Sequence, residues 1–318
     1  MSETMKAVRI HAYGGPEVLV YEETPRPAPG EEELLIRVCA AGVNPADWKV
    51  RSGMAYALPL PLVLGWDVSG VVEAVGASVT DFGVGDEVWT MLPFPEGSGA
   101  YAEFVTCPAS AVALKPHTLD HVQAAAVPLV ALTAWQALFD AAGLSPGQTV
   151  LIHAAAGGVG HIAVQLAKWR GAFVIGTASQ RNQEFLRSLG VDLAIDYAET
   201  GFETVAENID VVLDAVGGET WERSWLTLKR DGMLVSLLVR PTPDDLAVRA
   251  ARGTHILAHS SGAQLTELAH LVDAGFVRPV VDTVLPLDEV RAAHRLSEQG
   301  HTRGKIVLDV TATRGGSA

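Results

Sequence analysis

With 318 residues the chain is longer than a single hydrophobic core usually grows, so two domains are expected. Its make-up, 48% hydrophobic and 19% charged, is that of a globular protein and excludes a disordered one. The formal charge of −14 offers little to nucleic-acid phosphates or an anionic membrane, which leaves a small molecule as the expected partner.

Cys39 and Cys107 are the only cysteines, too few for a disulfide framework or a metal cluster, and they suit a reducing compartment. The opening MSETMKAVRI has no basic stretch followed by an apolar one, so a cytoplasmic location is expected. The most apolar long window, Ala124 to Gly143, is interrupted by Pro128, Thr133, Gln136 and Asp140 and reads as buried helix, not membrane span.

Up to about Pro116 the apolar runs are short and rich in Val and Ile, with Gly and Pro between them: Leu34–Ala40, Val68–Val75, Glu87–Met91 and Tyr101–Thr106. They predict a compact β domain. From Thr149 the pattern alternates: TVLIH, a helix from about Gly158, AFVIG, a helix, DLAID, a helix, then DVVLDAVG. Such alternation predicts a doubly wound parallel sheet, an α/β Rossmann unit. In its first helix Val159, Ile162, Ala163, Leu166 and Ala167 form one apolar stripe, and Gly171 supplies the stop. MLVSLL continues the sheet, and THILA with a helix running to about Gly275 is expected to complete it. PVVDTVLPL, a short helix capped by Asp288 and the strand KIVLDV return to β character and should rejoin the first domain, with the residues from Thr311 frayed. The expected division is 1–121 with 276–318 for the β domain, and 122–275 for the Rossmann domain.

TVLIH runs into AAAGGVG and then into the amphipathic helix, the context in which a glycine pattern points to a dinucleotide pyrophosphate. Small residues let the backbone approach the phosphates, and a helix N-terminus offers unpaired N–H groups. Gly157, Gly158, Val159 and Gly160 are the candidate contacts; Ala155 replaces the usual first glycine, and a mere tight turn is the other reading. After the next strand, IGTASQRNQ lacks the acid that would hold an NAD ribose and instead offers Ser179 and Arg181 for a 2′-phosphate. NADPH is therefore the expected cofactor. The alternative is a solvated surface arginine, although a cation at a helix start opposes the dipole unless an anion accompanies it.

The segment NPADWKVRSG, with Asn44, Pro45, Asp47, Lys49, Arg51 and Gly53, resembles the signature of the quinone oxidoreductase (zeta-crystallin-like) branch of the medium-chain dehydrogenase/reductase superfamily. PLVLGWDVSGVVEAVG, VGDEV, GAYAEF, LTAWQAL, HAAAGGVG and GKIVL are similar too, in the same order along nearly the whole chain. The resemblance implies a GroES-like β domain built from both chain ends, a Rossmann domain between them, a cofactor cleft at their junction and a homodimer. It implies that Asn44 and Thr133 lie beside the nicotinamide, that Tyr197 lies near the adenosine end and that Lys305 approaches the cofactor. Each has a plainer reading: Asn44 as a turn former, Thr133 as a helix cap, Tyr197 as an edge tyrosine, Lys305 as a solvent-exposed residue.

In the zinc-dependent members of the superfamily a Cys and a His stand where this sequence has Asn44 and Trp66, so no metal is expected. His117 and His121 read as surface histidines, and His255 and His259, on an expected strand, would lie about 13 Å apart, too far to share an ion. Without a metal to polarise a carbonyl, the substrate must already be electrophilic, a quinone or an α,β-unsaturated ketone. Tyr56 is a candidate proton donor, with solvent as the alternative; Asp47 and Lys49 are as readily an ion pair or a turn. An enoyl-thioester or biosynthetic enone reductase would share the same fold, and a non-catalytic NADPH-binding protein is the reading from another class.

Overall fold

The computed structural model describes residues 3–95, 99–249 and 251–312, with the side chains of 247–249 left aside; the tail beyond Ala312 lies outside them. The chain divides into two compact units, one of residues 1–129, 259–275 and 279–318, the other of 130–258 and 276–278.

The first unit begins with β1 (Thr4–Ile10), β2 (Leu19–Pro25), β3 (Glu33–Val43), α1 (Pro45–Arg51), β4 (Leu62–Val63), β5 (Asp67–Val75), β6 (Glu87–Met91), β7 (Phe104–Pro108), β8 (Val112–Leu114) and α2 (His121–Ala125). β1 lies between β2 and β4 in a three-stranded sheet. β3, the longest strand, pairs antiparallel with β5 and β7. Alternate apolar residues of these strands, including Val8, Leu34, Ile36, Val68 and Val88, face one core with the fully buried Trp66 and Tyr101.

The second unit, from Val130, takes up all but the first two residues of α3 (Pro128–Trp135), which continues as a π-helical stretch over Gln136–Ala141, and then β9 (Thr149–Ile152), α4 (Gly158–Trp169), β10 (Phe173–Ala178), α5 (Gln183–Ser188), β11 (Leu193–Asp196), β12 (Ile209–Asp214), α6 (Gly218–Ser224), β13 (Leu228–Ser236), α7 (Pro243–Arg249) and β14 (Arg252–His255). Its six strands run in the order β11-β10-β9-β12-β13-β14, all neighbours parallel. The order reverses between β9 and β12, and such a switch point is where open α/β sheets bind ligands. The apolar stripe of α4, Ile162, Ala163, Leu166 and Ala167, is buried, and Gly171, at φ +82°, ends the segment in the left-handed conformation.

α8 (Gly262–Asp273), β15 (Val281–Pro286), α9 (Val290–Glu298) and β16 (Lys305–Asp309) complete the first unit. β16 pairs antiparallel with β3, so the final strand rejoins the first domain as its β character implied. The division differs from expectation at 122–129 and 259–275, which belong to the first unit, α8 with them rather than with the Rossmann sheet, and at 276–278, which belongs to the second. Gly262 explains the fit: a Cβ there would lie 2.4 Å from the Val112 carbonyl oxygen, so only glycine lets the helix start against β8. β14 stops at His255, leaving His259 off the strand, and Asp288 sits in a 3₁₀ turn before α9, whose N-cap is Glu289. Among the described residues no helix is long and apolar enough to cross a membrane; the apolar window 124–143 is divided among α2, α3 and the π-helical stretch.

Candidate active site

In the Rossmann unit, β9 ends at the switch point and the chain turns into α4 through Ala154, whose φ of +51° is left-handed. Gly157 occupies the N-cap of α4 and no side chain caps the helix, so the first-turn N–H groups of Gly158, Val159 and Gly160 are the donors the loop has to offer. Gly160 has a second role. A Cβ on it would lie 2.3 Å from the Ala154 oxygen and 2.6 Å from the Ala155 Cα, so glycine here lets the helix close onto its own loop. Ala155 is buried and donates its N–H to the Thr177 carbonyl at 3.0 Å, which joins the loop to the neighbouring strand.

His153 lies beneath the loop, with Nδ1 3.1 Å from the Thr177 hydroxyl and Nε2 2.9 Å from that of Ser224. Burial pulls its pKa down to about 4, so the ring is neutral. Across the switch point Asp214 ends β12. One of its carboxylate oxygens accepts the N–H groups of Val216 and Gly217, and the other accepts the Ser236 hydroxyl at 2.8 Å. The Ser236 oxygen in turn accepts the N–H groups of Leu238 and Val239. Sequence reasoning missed this bracing of two loops; its signal was an acid closing the apolar run DVVLD just before two glycines.

At the end of β10, Ser179 opens a 3₁₀ turn over Gln180–Asn182, so Arg181 stands in that turn ahead of α5 and is exposed. The Asn182 amide donates to the Ser179 hydroxyl at 3.3 Å. Tyr197 follows β11 and is 62% exposed. Thr133 is buried on α3.

In the GroES-like unit, the signature segment forms α1 with Asn44 as its N-cap. The Asn44 backbone N–H donates to the Asp47 carboxylate at 2.6 Å, and the Asp47 N–H to the Asn44 carbonyl at 3.0 Å. Asp47 thus takes the turn role, and its carboxylate also accepts the Tyr101 hydroxyl at 2.6 Å. Burial pushes the Asp47 pKa up to about 7, against the lowering effect of these hydrogen bonds and of Lys305. Arg51 is buried, donating to the Gly14 carbonyl, approaching the His294 ring at 3.0 Å and pairing with Glu298. Much of the signature is therefore explained by holding α1 and α9 in place. Lys49 lies over the Trp48 ring at 5.7 Å.

Lys305, at the head of β16, is 3% exposed, which excludes the solvent-exposed reading. Its ammonium donates to the Val43 carbonyl at 3.0 Å, to the Asn44 side-chain oxygen, and to Asp67 at 3.2 Å. Asn44 and Lys305 are thus brought together, with Asp67, which the sequence reading missed, as the third member. The available signal was an acid opening the apolar strand DVSGVV, where burial demands a partner. Tyr56 is 39% exposed and meets Phe94 edge-on at 5.3 Å, and Phe94 meets Trp66 at 4.9 Å. His121 is half-buried, not a surface histidine, with Nδ1 2.8 Å from the Ser69 hydroxyl and its pKa lowered mainly by burial. His117 is exposed. No group of three or more His, Cys, Asp and Glu among the described residues could hold a metal ion.

An uncapped glycine turn at the switch point of a Rossmann sheet, carried by a chain whose other unit is a GroES-like sheet domain, defines a dinucleotide-binding oxidoreductase. The model of the alcohol dehydrogenase GroES-like domain matches residues 30–117, and that described as zinc-binding dehydrogenase matches residues 189–308. The mitochondrial NAD(P)H oxidoreductase RTN4IP1 of Mus musculus is 39% identical over 97% of this chain and 90% of its own. The chloroplastic NADPH-dependent alkenal/one oxidoreductase of Arabidopsis thaliana is 38% identical over 96% of this chain and 79% of its own. The solved quinone oxidoreductase from Coxiella burnetii matches with a TM-score of 0.90 and 38% identity, over 97% of this chain and 100% of that one. The chain belongs to the medium-chain dehydrogenase/reductase superfamily.

Proposed function

We propose that the protein is an NADPH-dependent, zinc-independent oxidoreductase that reduces quinones and α,β-unsaturated carbonyl compounds. The observation that carries this reading is the uncapped, glycine-lined N-terminus of α4 directly after β9, at the sheet's switch point. NADPH would supply a hydride, and the resulting hydroquinone anion or enolate then takes up one proton to complete the reaction.

The main chain of Gly157, Gly158, Val159 and Gly160 binds the pyrophosphate. Ser179 and Arg181 take the 2′-phosphate, and Tyr197 flanks the adenosine end. Asn44, Thr133 and Lys305 serve the nicotinamide half. The donor set supports catalysis without zinc: the Asn44 side-chain oxygen, its one atom able to ligate a metal, is committed to Lys305, and Trp66 is a buried indole with no ligating atom. The protein's contribution is then orientation and exclusion of water, with Tyr56, partly exposed, delivering the proton directly or through water. The two free thiols, Cys39 and Cys107, support a reducing, cytoplasmic setting, and a homodimer is the assembly we expect.

The test follows cofactor oxidation with NADPH and NADH in parallel, against a panel of quinones and enones, with and without a chelator. The expected outcome is chelator-resistant turnover that prefers NADPH. Tight NADPH binding with no consumption across both substrate classes would overturn the catalytic reading.

A further inference from the structure

We propose that Asp67 is a positioning residue that acts through Asn44, fixing the side-chain amide so that a free N–H is offered to an acceptor oxygen on the nicotinamide half of the cofactor. The proposal rests on the reading of Asn44 as a nicotinamide contact. It follows from the chemistry of three side chains, all nine-tenths or more buried.

Lys305 can only donate, so the Asn44 atom facing it must be the oxygen. An ionised Asp67 can only accept, so the atom facing it, at 2.8 Å, must be the nitrogen. The two charged neighbours thereby exclude the flipped amide, an orientation otherwise chosen by optimising the hydrogen-bond network. One hydrogen of the Asn44 amide nitrogen points at Asp67, and the other has no acceptor among the described residues.

Asp67 is itself held fast. Its other oxygen accepts the Leu129 N–H at 2.6 Å. Gly42 makes the room for it, since a Cβ at that position would come within 2.8 Å of the carboxylate. Lys305 has all three of its N–H groups committed, to Val43, Asn44 and Asp67, so its charge acts on the amide and the carboxylate. The ion pair costs desolvation, and what it secures is the direction of one N–H.

The test is a double-mutant cycle of Asp67→Asn and Asn44→Ala. The readouts are the dissociation constants of NADPH and of 2′,5′-ADP, which lacks the nicotinamide half, together with the melting temperature. Asp67→Asn places an amide N–H against donors and removes the carboxylate that anchors the Asn44 nitrogen, so the direction of its free N–H is no longer fixed. We expect each single variant to weaken NADPH roughly tenfold, a change of about 1.4 kcal/mol. 2′,5′-ADP should stay within about twofold, and the double variant should be no weaker than Asn44→Ala alone.

Additive losses, or equal losses for both ligands, would overturn the positioning role, because a merely structural residue would act without Asn44. Should Asp67→Asn not fold, Asp67→Ser, which likewise removes the carboxylate from the Asn44 nitrogen, replaces it in the same cycle with the same expectations. Unchanged NADPH affinity in Asn44→Ala would refute the underlying contact, whereas a wild-type protein that binds no NADPH would refute the cofactor assignment itself.

Discussion

The glycine turn of the Rossmann unit and the Asn44 cluster of the GroES-like unit are built on opposite principles. The turn offers main-chain N–H groups and works because side chains are missing: Gly157 caps without a side chain, and Gly160 leaves no room for one. The cluster offers side-chain atoms and works because each is committed, with Lys305 donating three times and Asp67 accepting from Asn44, Lys305 and Leu129. A site of the first kind fails by gaining an atom. One of the second kind fails by losing a partner.

The largest effect expected from this contrast is at Gly160. Gly160→Val would drive a side chain into the Ala154 and Ala155 backbone, overpacking of the kind that costs about 1–3 kcal/mol. The loop would then be displaced, and we expect NADPH and NADH to weaken alike, by roughly a hundredfold, with a lowered melting temperature. Normal affinity would show that the turn does not hold the cofactor. The damage comes first from the loop's own atoms, which a Cβ would meet at 2.3 and 2.6 Å.

Arg181→Ala sharpens the comparison at the far end of the dinucleotide, where a side chain rather than the main chain is proposed to act. It should raise the NADPH Michaelis constant roughly tenfold and leave NADH within about twofold. Equal effects on both cofactors would break the 2′-phosphate assignment.

The cluster's neighbour Asp47 predicts a pH dependence of stability. Its folded pKa, about 7, lies above that of an unfolded aspartate, so the folded state holds the proton more tightly. Stability from this residue is present at low pH and is lost as pH rises through the window from about 4 to 7. Asp47→Asn keeps an oxygen able to accept from Asn44 and Tyr101, and should remove that slope. Parallel melting curves of the two proteins across the window would contradict the assignment. His153 in the Rossmann unit has the opposite sign: its folded pKa, about 4, is below the unfolded value, so its neutral, buried form loses stability as pH falls below about 6.5. The smallest expected effect is Tyr56→Phe, a fall in kcat of less than about tenfold, because a partly exposed position lets water supply the proton.

The fold was legible wherever the signal was local. The alternation from TVLIH to DVVLD produced β9, α4, β10, α5, β11 and β12 in order, since side-chain periods of two and 3.6 residues depend only on near neighbours, but the helix expected between β11 and β12 is only a 3₁₀ turn, Phe202–Thr204. The glycine turn was legible for the same reason. Lys305 was not, because Val43, Asn44 and Asp67 stand more than two hundred residues before it and no pattern around GKIVL reports their approach. The Arg51 and His294 contact was hidden in the same way. For α8, an amphipathic stripe shows that one face is buried but not which sheet buries it; Gly262 against the Val112 carbonyl settles that only once the strands are in place.

The place of β16 beside β3 bears on the order in which the chain becomes a protein. During synthesis the Rossmann strands emerge as a contiguous run and can fold as a unit. The GroES-like unit, begun earlier, must wait for its last strand. Until Lys305 arrives, Asp67 has no cation to offset its burial, so the domain that starts first is the one that finishes last.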